Sequence, residues 1–278
     1  MEQPLRLMCV LAHPDDESMG TGGILAKYAA EGVETSLICA TRGERGWFGA
    51  PDEYPGMDEL GRIREKELRA AAEVLGIGRV DLLDYVDGDL DQADHDEAVG
   101  RIVRLLREVR PQVVVTFAPD GGYGHPDHIA ISQFATAATV VAADPCYRPD
   151  LGEPHRVAKL YYYVVTATLA KLYIAQFGEI VFPVDGVDRG MVLCPDWMAT
   201  SRVDCGDEWS TVLAAIMCHA SQLSTLSTLD DITEEFHRLM WSSSAYYRAY
   251  SLVNGGRAVE DDLFAGLRSK VEDGRQTL

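Results

Sequence analysis

Residues 5–12 are mostly apolar and bounded by turn formers, the pattern of a strand buried on both faces. They run straight into His13, Pro14, Asp15, Asp16 and Glu17. Pro14 has no N–H to give to a ladder, so the strand stops at His13. A strand of this kind lies inside a sheet covered by helices, and its carboxyl end is where open α/β sheets bind ligands. An imidazole and three carboxylates are thus collected at one such end. Turned back on one point, His13 and Asp16 offer a nitrogen and an oxygen that suit a divalent transition metal such as zinc. Asp15 is then left free beside the metal as a base. Taken alone, the same residues also fit a turn of solvated acids with an aspartate capping the next helix.

A second stretch repeats the pattern. Residues 112–117 (QVVVTF) read as another buried strand and lead into Gly121, Gly122, Tyr123, Gly124, His125, Pro126, Asp127 and His128. Three of the chain's seven histidines fall in these two places. Between them strands and helices alternate. Helices are predicted over 24–31, 59–75, 97–109 and 129–143, and strands over 33–40 and 80–83. Alternation of this sort gives a Rossmann-like, doubly wound α/β fold, a mainly parallel sheet with helices on both faces and right-handed crossovers. Strand 1 then lies beside strand 4, with strands 2 and 3 on its other side, which brings His13 and Asp16 next to His128. Arg42, Glu44 and Asp87, from the tails of strands 2 and 3, form the adjacent wall, and residues 47–57 a loop over the pocket. No GxGxxG fingerprint of dinucleotide binding occurs.

HPDDE followed about a hundred residues later by GYGHPDH resembles the LmbE-like, or PIG-L, de-N-acetylase family, over residues 5–145. The resemblance implies a zinc-dependent hydrolase that removes the acetyl group of an N-acetylglucosamine unit in a small molecule or glycoconjugate. It implies His13, Asp16 and His128 as metal ligands and Asp15 as general base. It implies a protonated His125 near the oxyanion and leaving amine, Tyr123 as a donor to the oxyanion, Arg64 in contact with substrate, and Asp87 on a sugar hydroxyl. Asp127, two residues beyond His125, is expected to orient that ring and hold its charge. Glu44 is a further pocket candidate. Each has a plainer reading: Tyr123 as a wall aromatic, Arg64 as a helix charge paired with Glu67, Asp87 as a turn former, Glu44 as a loop acid. Fe(II) or Co(II) suit the same donors. The alternatives are a zinc amidase for another N-acyl or thiol-conjugate substrate, and a non-catalytic metal- or sugar-binding protein, against which the non-ligand Asp15 argues.

At 278 residues and 47% hydrophobic content the chain fits one domain, with 1–145 as the metal-site core and 146–278 as a variable, substrate-shaping region. A net charge of −19 argues against a nucleic-acid or anionic-membrane surface. No run approaches the roughly 18 apolar residues of a membrane span. The beginning of the sequence is not a signal peptide, and six scattered cysteines read as reduced and buried, so a cytoplasmic location is expected. The expected partner is a small N-acetylated sugar, and homo-oligomerisation is left open. Beyond residue 145, a strand is predicted over 159–165, a helix over 168–176, extended chain over 180–184, a helix from 209 to 222 capped by Asp207 and carrying a core His219, and a helix over 234–250.

Overall fold

The computed structural model describes residues 4–225, 232–241, 243–253 and 258–268. β1 (Arg6–Leu11) leads through the single turn α1 (Asp16–Met19) into α2 (Gly22–Ala30) and β2 (Glu34–Thr41). α3 (Met57–Leu75), β3 (Arg79–Tyr85), α4 (His95–Val109) and β4 (Val113–Phe117) follow, then α5 (Gly121–Gly124), α6 (Pro126–Val141) and β5 (Lys159–Val164). The remainder adds α7 (Ala167–Phe177), the hairpin β6 (Val181–Val184) and β7 (Val187–Gly190), β8 (Ser201–Asp204), α8 (Trp209–Cys218), α9 (Glu234–Trp241) and β9 (Ser243–Ser251).

The main sheet has the order β3-β2-β1-β4-β5-β9-β8. β1 to β5 are parallel, as the apolar runs and intervening helices require. Every residue of β4 is buried, and all of β1 beyond Arg6. α3 presents Leu60, Leu68, Ala71, Ala72 and Leu75 to the core and ends at Gly76, whose φ of 73° suits a residue without a Cβ. Asp94 caps α4 by accepting from the Glu97 N–H at 2.9 Å. α2 packs with α3 and α8, and α4 packs with α6, so helices line the sheet in two groups.

The second half departs from its sequence pattern in two places. The helix expected over 234–250 stops at Trp241, and Ser243–Ser251 forms β9, antiparallel to β5. Tyr246, Tyr247 and Tyr250 fit helical spacing, but aromatic residues also favour a pleated surface, and the open edge of β5 supplies the hydrogen-bond partners. Tyr246 is fully buried while Tyr247 is 39% exposed, the alternation of a strand. The helix expected to 222 ends at Cys218, and Asp207 lies in the 3₁₀ turn before it rather than at a bonded cap. His219 is then the first residue off the helix.

A buried ion cluster ties the far side of the sheet to residues 258–268. Glu260 Oε1 lies 2.8 Å from Lys159 Nζ and 2.8 Å from Arg248 Nη1, and its Oε2 accepts from Tyr161 (2.5 Å) and Ser201 (3.1 Å). Removing one partner of such a cluster leaves uncompensated buried charge. Glu260→Ala is therefore expected to lower the unfolding free energy by about 3–5 kcal/mol, measured by urea denaturation.

Candidate active site

The two glycine- and acid-rich loops meet at the carboxyl ends of β1 and β4. Asp16 curls back over the end of β1, its Oδ2 accepting from the N–H groups of His13 (2.8 Å) and Ala12 (3.2 Å). His13 Nδ1 then lies 3.8 Å from Asp16 Oδ2 and 3.1 Å from His128 Nε2, and His128 Nε2 lies 3.5 Å from Asp16 Oδ1. Ligands about 2.0–2.1 Å from a tetrahedral ion stand about 3.3 Å from one another, close to these separations, which run to different Asp16 oxygens; donor atoms within 4.8 Å of one another are also offered by His13 with His125 and His128, and by His13 with Asp87 and Asp127.

The outer ring nitrogens set the tautomers. His128 Nδ1 donates to the Gly121 carbonyl at 3.0 Å, and its ring stacks on Phe117 at 4.0 Å. His13 Nε2 lies 3.1 Å from both Asp87 Oδ1 and Asp127 Oδ2. With the outer nitrogens protonated, the inner pair, His13 Nδ1 and His128 Nε2, face each other at 3.1 Å with lone pairs, and a proton or a metal ion must lie between them. Carboxylates behind a ligating imidazole are the usual arrangement of a metal site.

Asp15 sits beside this group with φ 111°, a left-handed conformation that costs an aspartate about 1–3 kcal/mol. Four bonds hold it, one of them from the Ser18 N–H to its carbonyl at 3.0 Å. Its N–H donates to Glu17 Oε2 (3.0 Å), its carbonyl accepts from Met19 (3.0 Å), and its Oδ2 accepts from Arg64 Nη2 (3.0 Å). Arg64 is buried and also donates to the carbonyls of Pro14 (2.5 Å) and Gly43 (2.8 Å). Two guanidinium nitrogens of Arg64 thus face Asp15 and the loop carbonyls while its Nε is buried without a partner, and Glu67, the helix partner the plainer reading gave it, bonds Ser221 instead.

Asp87 is likewise turned inward. Its second oxygen accepts from the Arg45 N–H at 3.0 Å and only 7% of the residue is exposed, so the carboxylate backs His13. Burial alone would raise this carboxyl, but the hydrogen bond and charge of His13 outweigh it and hold it below the usual carboxylate range. Glu44 stands next to it, Oε1 accepting from the Asp87 N–H at 3.2 Å, while Oε2 is buried without a partner.

Asp127 does not hold His125. Its carboxylate accepts from Gly88 (2.8 Å) and Leu90 (3.1 Å) and faces His13, while His125 Nδ1 accepts from the Asp127 N–H at 3.1 Å. The reason is local: His125 caps α6, so its ring bonds the first turn and the Asp127 side chain leaves on the other side. His125 therefore keeps its proton on Nε2, pointing away from the helix. Burial, reinforced by His13, lowers its pKa to about 4. Tyr123 packs edge-on to His128 at 5.1 Å and against Phe182 of the β6–β7 hairpin at 4.3 Å. That hairpin is latched to the same loop by Arg189 Nη1 to the Gly124 carbonyl (2.7 Å).

Sequence reasoning gave Glu17 no partner and read His219 as ordinary core. Both are fully buried and lie 2.7 Å apart. The available signal was an acid directly behind the Asp-Asp pair that needs a cationic partner if buried.

The family described as PIG-L, GlcNAc-PI de-N-acetylase, matches residues 8–139. A protein of Geodermatophilus obscurus named 1D-myo-inositol 2-acetamido-2-deoxy-alpha-D-glucopyranoside deacetylase is 38% identical, over 94% of this chain and 98% of its own. One of the same name from Streptomyces avermitilis is 36% identical, over 94% and 97%. Among solved structures, a conserved protein of Thermus thermophilus superposes with a TM-score of 0.63 at 25% identity, covering 90% of this chain and 97% of that one. The N,N'-diacetylchitobiose deacetylase of Pyrococcus horikoshii has the same fold, with a TM-score of 0.63 at 21% identity and coverage of 87% and 83%.

The depressed pKa of His125 has a measurable consequence. In metal-free protein its imidazole NMR signals should titrate near 4, well under the ordinary 6.5. Because the folded value is the lower one, any stability carried by the neutral ring is full above 6.5 and is lost as pH falls toward 4. A midpoint at or above 6.5 would contradict this environment.

Proposed function

Because the chain belongs to the PIG-L family, we propose that it is a metal-dependent hydrolase that removes the acetyl group from an N-acetylglucosamine-containing small molecule, giving acetate and a free amine. The observation that carries the reading is the approach of His13 Nδ1, His128 Nε2 and the Asp16 carboxylate to within 3.1–3.8 Å of one another. These three residues would hold the ion. Two imidazoles and a carboxylate favour zinc and leave coordination positions open, as in catalytic rather than structural sites; Fe(II) and Co(II) suit the same donors. The ion would polarise the amide carbonyl and acidify a water.

The remaining chemistry falls to side chains. Asp15 is tied down at Oδ2 by Arg64, which leaves Oδ1 to take a proton from the attacking water as its oxygen bonds the carbonyl carbon. The same carboxyl returns that proton to the nitrogen as the C–N bond breaks, so no imidazolium is needed. Neutral His125 donates Nε2–H to the oxygen that gains charge, since its Nδ1 is occupied. The Tyr123 hydroxyl, kept protonated by burial, is a second donor there. Asp87 and Asp127 orient His13. The unpartnered Glu44 Oε2 is an acceptor for a substrate hydroxyl. Relatives 34–38% identical are named for an N-acetylglucosaminyl inositol, which makes that compound the first substrate to test.

The test is acetate release from N-acetylglucosaminyl inositol by metal-replete protein, with and without chelator. Release that stops with chelator and returns with zinc is expected. His13→Ala, Asp16→Ala and His128→Ala should each lose or weaken the metal, and full metal content in all three would sink the site. Asp15→Asn should keep the metal and lower kcat by about 10²–10⁴-fold, the range for loss of a general base. A fully active Asp15→Asn enzyme would move that role elsewhere.

A further inference from the structure

Residues 219–222 leave the end of α8 and reach three separate parts of the first half of the chain. His219 Nε2 lies 2.7 Å from Glu17 Oε1 in the loop after β1. Ser221 donates from N and Oγ to Glu67 of α3, the helix that carries Arg64, at 2.8 and 2.7 Å. Gln222 Nε2 donates to the Gly46 carbonyl at 3.0 Å, in the loop after β2 that carries Glu44. Each of these parts adjoins Asp15 or its supports.

The contact with Glu17 has the most direct consequence. Glu17 and His219 have no exposed side-chain surface, and neither takes part in the chemistry proposed above. A carboxylate so buried needs donors on both oxygens. Oε1 has His219 and the Ser18 hydroxyl at 2.5 Å, and Oε2 has the N–H of Asp15 at 3.0 Å. The last bond is made by the one residue of the loop in the left-handed region, at φ 111°. The Asp15 N–H has its acceptor only while Glu17 stays in this rotamer, and His219 is the group from across the fold that keeps it there.

We propose that His219 is a positioning residue for Asp15, acting through the Glu17 carboxylate. This rests on the reading of Asp15 as the base. The imidazole fixes the carboxylate, the carboxylate fixes the backbone N–H, and the backbone sets the angle at which the Asp15 side chain meets Arg64 and the substrate. The second half of the chain thus completes a site whose other polar groups come from the first.

The experiment is a double-mutant cycle on the metal-loaded full chain with N-acetylglucosaminyl inositol. His219→Leu should lower kcat by about 10–100-fold, the usual effect of losing a supporting bond behind a site, with KM and metal content nearly unchanged. His219→Gln, which keeps a donor near the Nε2 position, should recover most of the loss. In an Asp15→Asn background neither change should lower the residual rate further, because residues that act as a unit are not additive. Wild-type kcat in His219→Leu, or the same fold-loss with Asp15 already removed, would overturn the proposal. Crystal structures of wild type and His219→Gln or His219→Leu give a readout independent of turnover. Asp15 should leave its left-handed conformation or its contact with Arg64 in the Leu variant, and an unchanged Asp15 there would also overturn the proposal. If wild type releases no acetate, the functional reading falls, while the Asp15 backbone in these structures still decides the inference.

Discussion

The parallel pairing of β1 with β4 is the constraint on which the site depends. Leu7, Met8 and Cys9 lie against Val113, Val114 and Val115. The Thr116 hydroxyl donates to the Val10 carbonyl at 2.8 Å, and the Thr41 hydroxyl to that of Ala12 at 3.1 Å, so the ends of three neighbouring strands are pinned where the loops begin. Side chains alternate along a strand, and a slip of one residue would exchange its two faces. Both strands are buried throughout the paired segment. The crossover connections of a parallel sheet run above and below it, so the first loops of β1 and β4 diverge and leave a crevice. His13 and Asp16 enter that crevice from one side and His128 from the other.

Holding so many carboxylates together is a problem in a chain with net charge −19. The fold meets it by giving each buried acid its own donors. Asp16 has two backbone N–H groups, Asp127 has two more, Asp87 has the Arg45 N–H and His13, Asp15 has Arg64, and Glu17 has His219. Most of these donors come from a different segment than the acid they serve. The result is a cross-linked shell in which loops after β1, β2, β3 and β4 fix one another. Such a shell adds little net stability, since desolvation offsets most of the attraction. What it provides is orientation, and orientation is what a general base and a ligand set require.

The second half of the chain contributes more than a covering. β5, β9 and β8 extend the same sheet across residue 145. The β6–β7 hairpin latches onto the loop of Tyr123 through Arg189 and Phe182. Residues 219–222 bond the loops after β1 and β2 and the helix between β2 and β3.

The sequence by itself determined the strand–helix alternation, the order of the first four strands and the meeting of HPDDE with GYGHPDH. Each of these follows from local pattern: apolar runs end at proline or glycine, and alternation leaves few ways to wind a sheet. It also put His13, Asp16 and His128 together, because topology alone brings strand ends 1 and 4 side by side. The tertiary structure decided which way each polar group faces. Arg64, Asp87 and Asp127 carry the right chemistry at the right place, yet all three turn inward, because a buried charge takes the nearest donor or acceptor in three dimensions and that partner lies 21 to 114 residues away. His125 and Asp127 are separated for a similarly local-looking but structural reason, the capping of α6 by His125. β9 was hidden because tyrosines at 246, 247 and 250 satisfy both periodicities, and only the open edge of β5 selects the strand. The Glu17–His219 pair spans 202 residues, and no local pattern can pair two side chains across that distance; it exists because the packed fold buries both completely and sets them 2.7 Å apart.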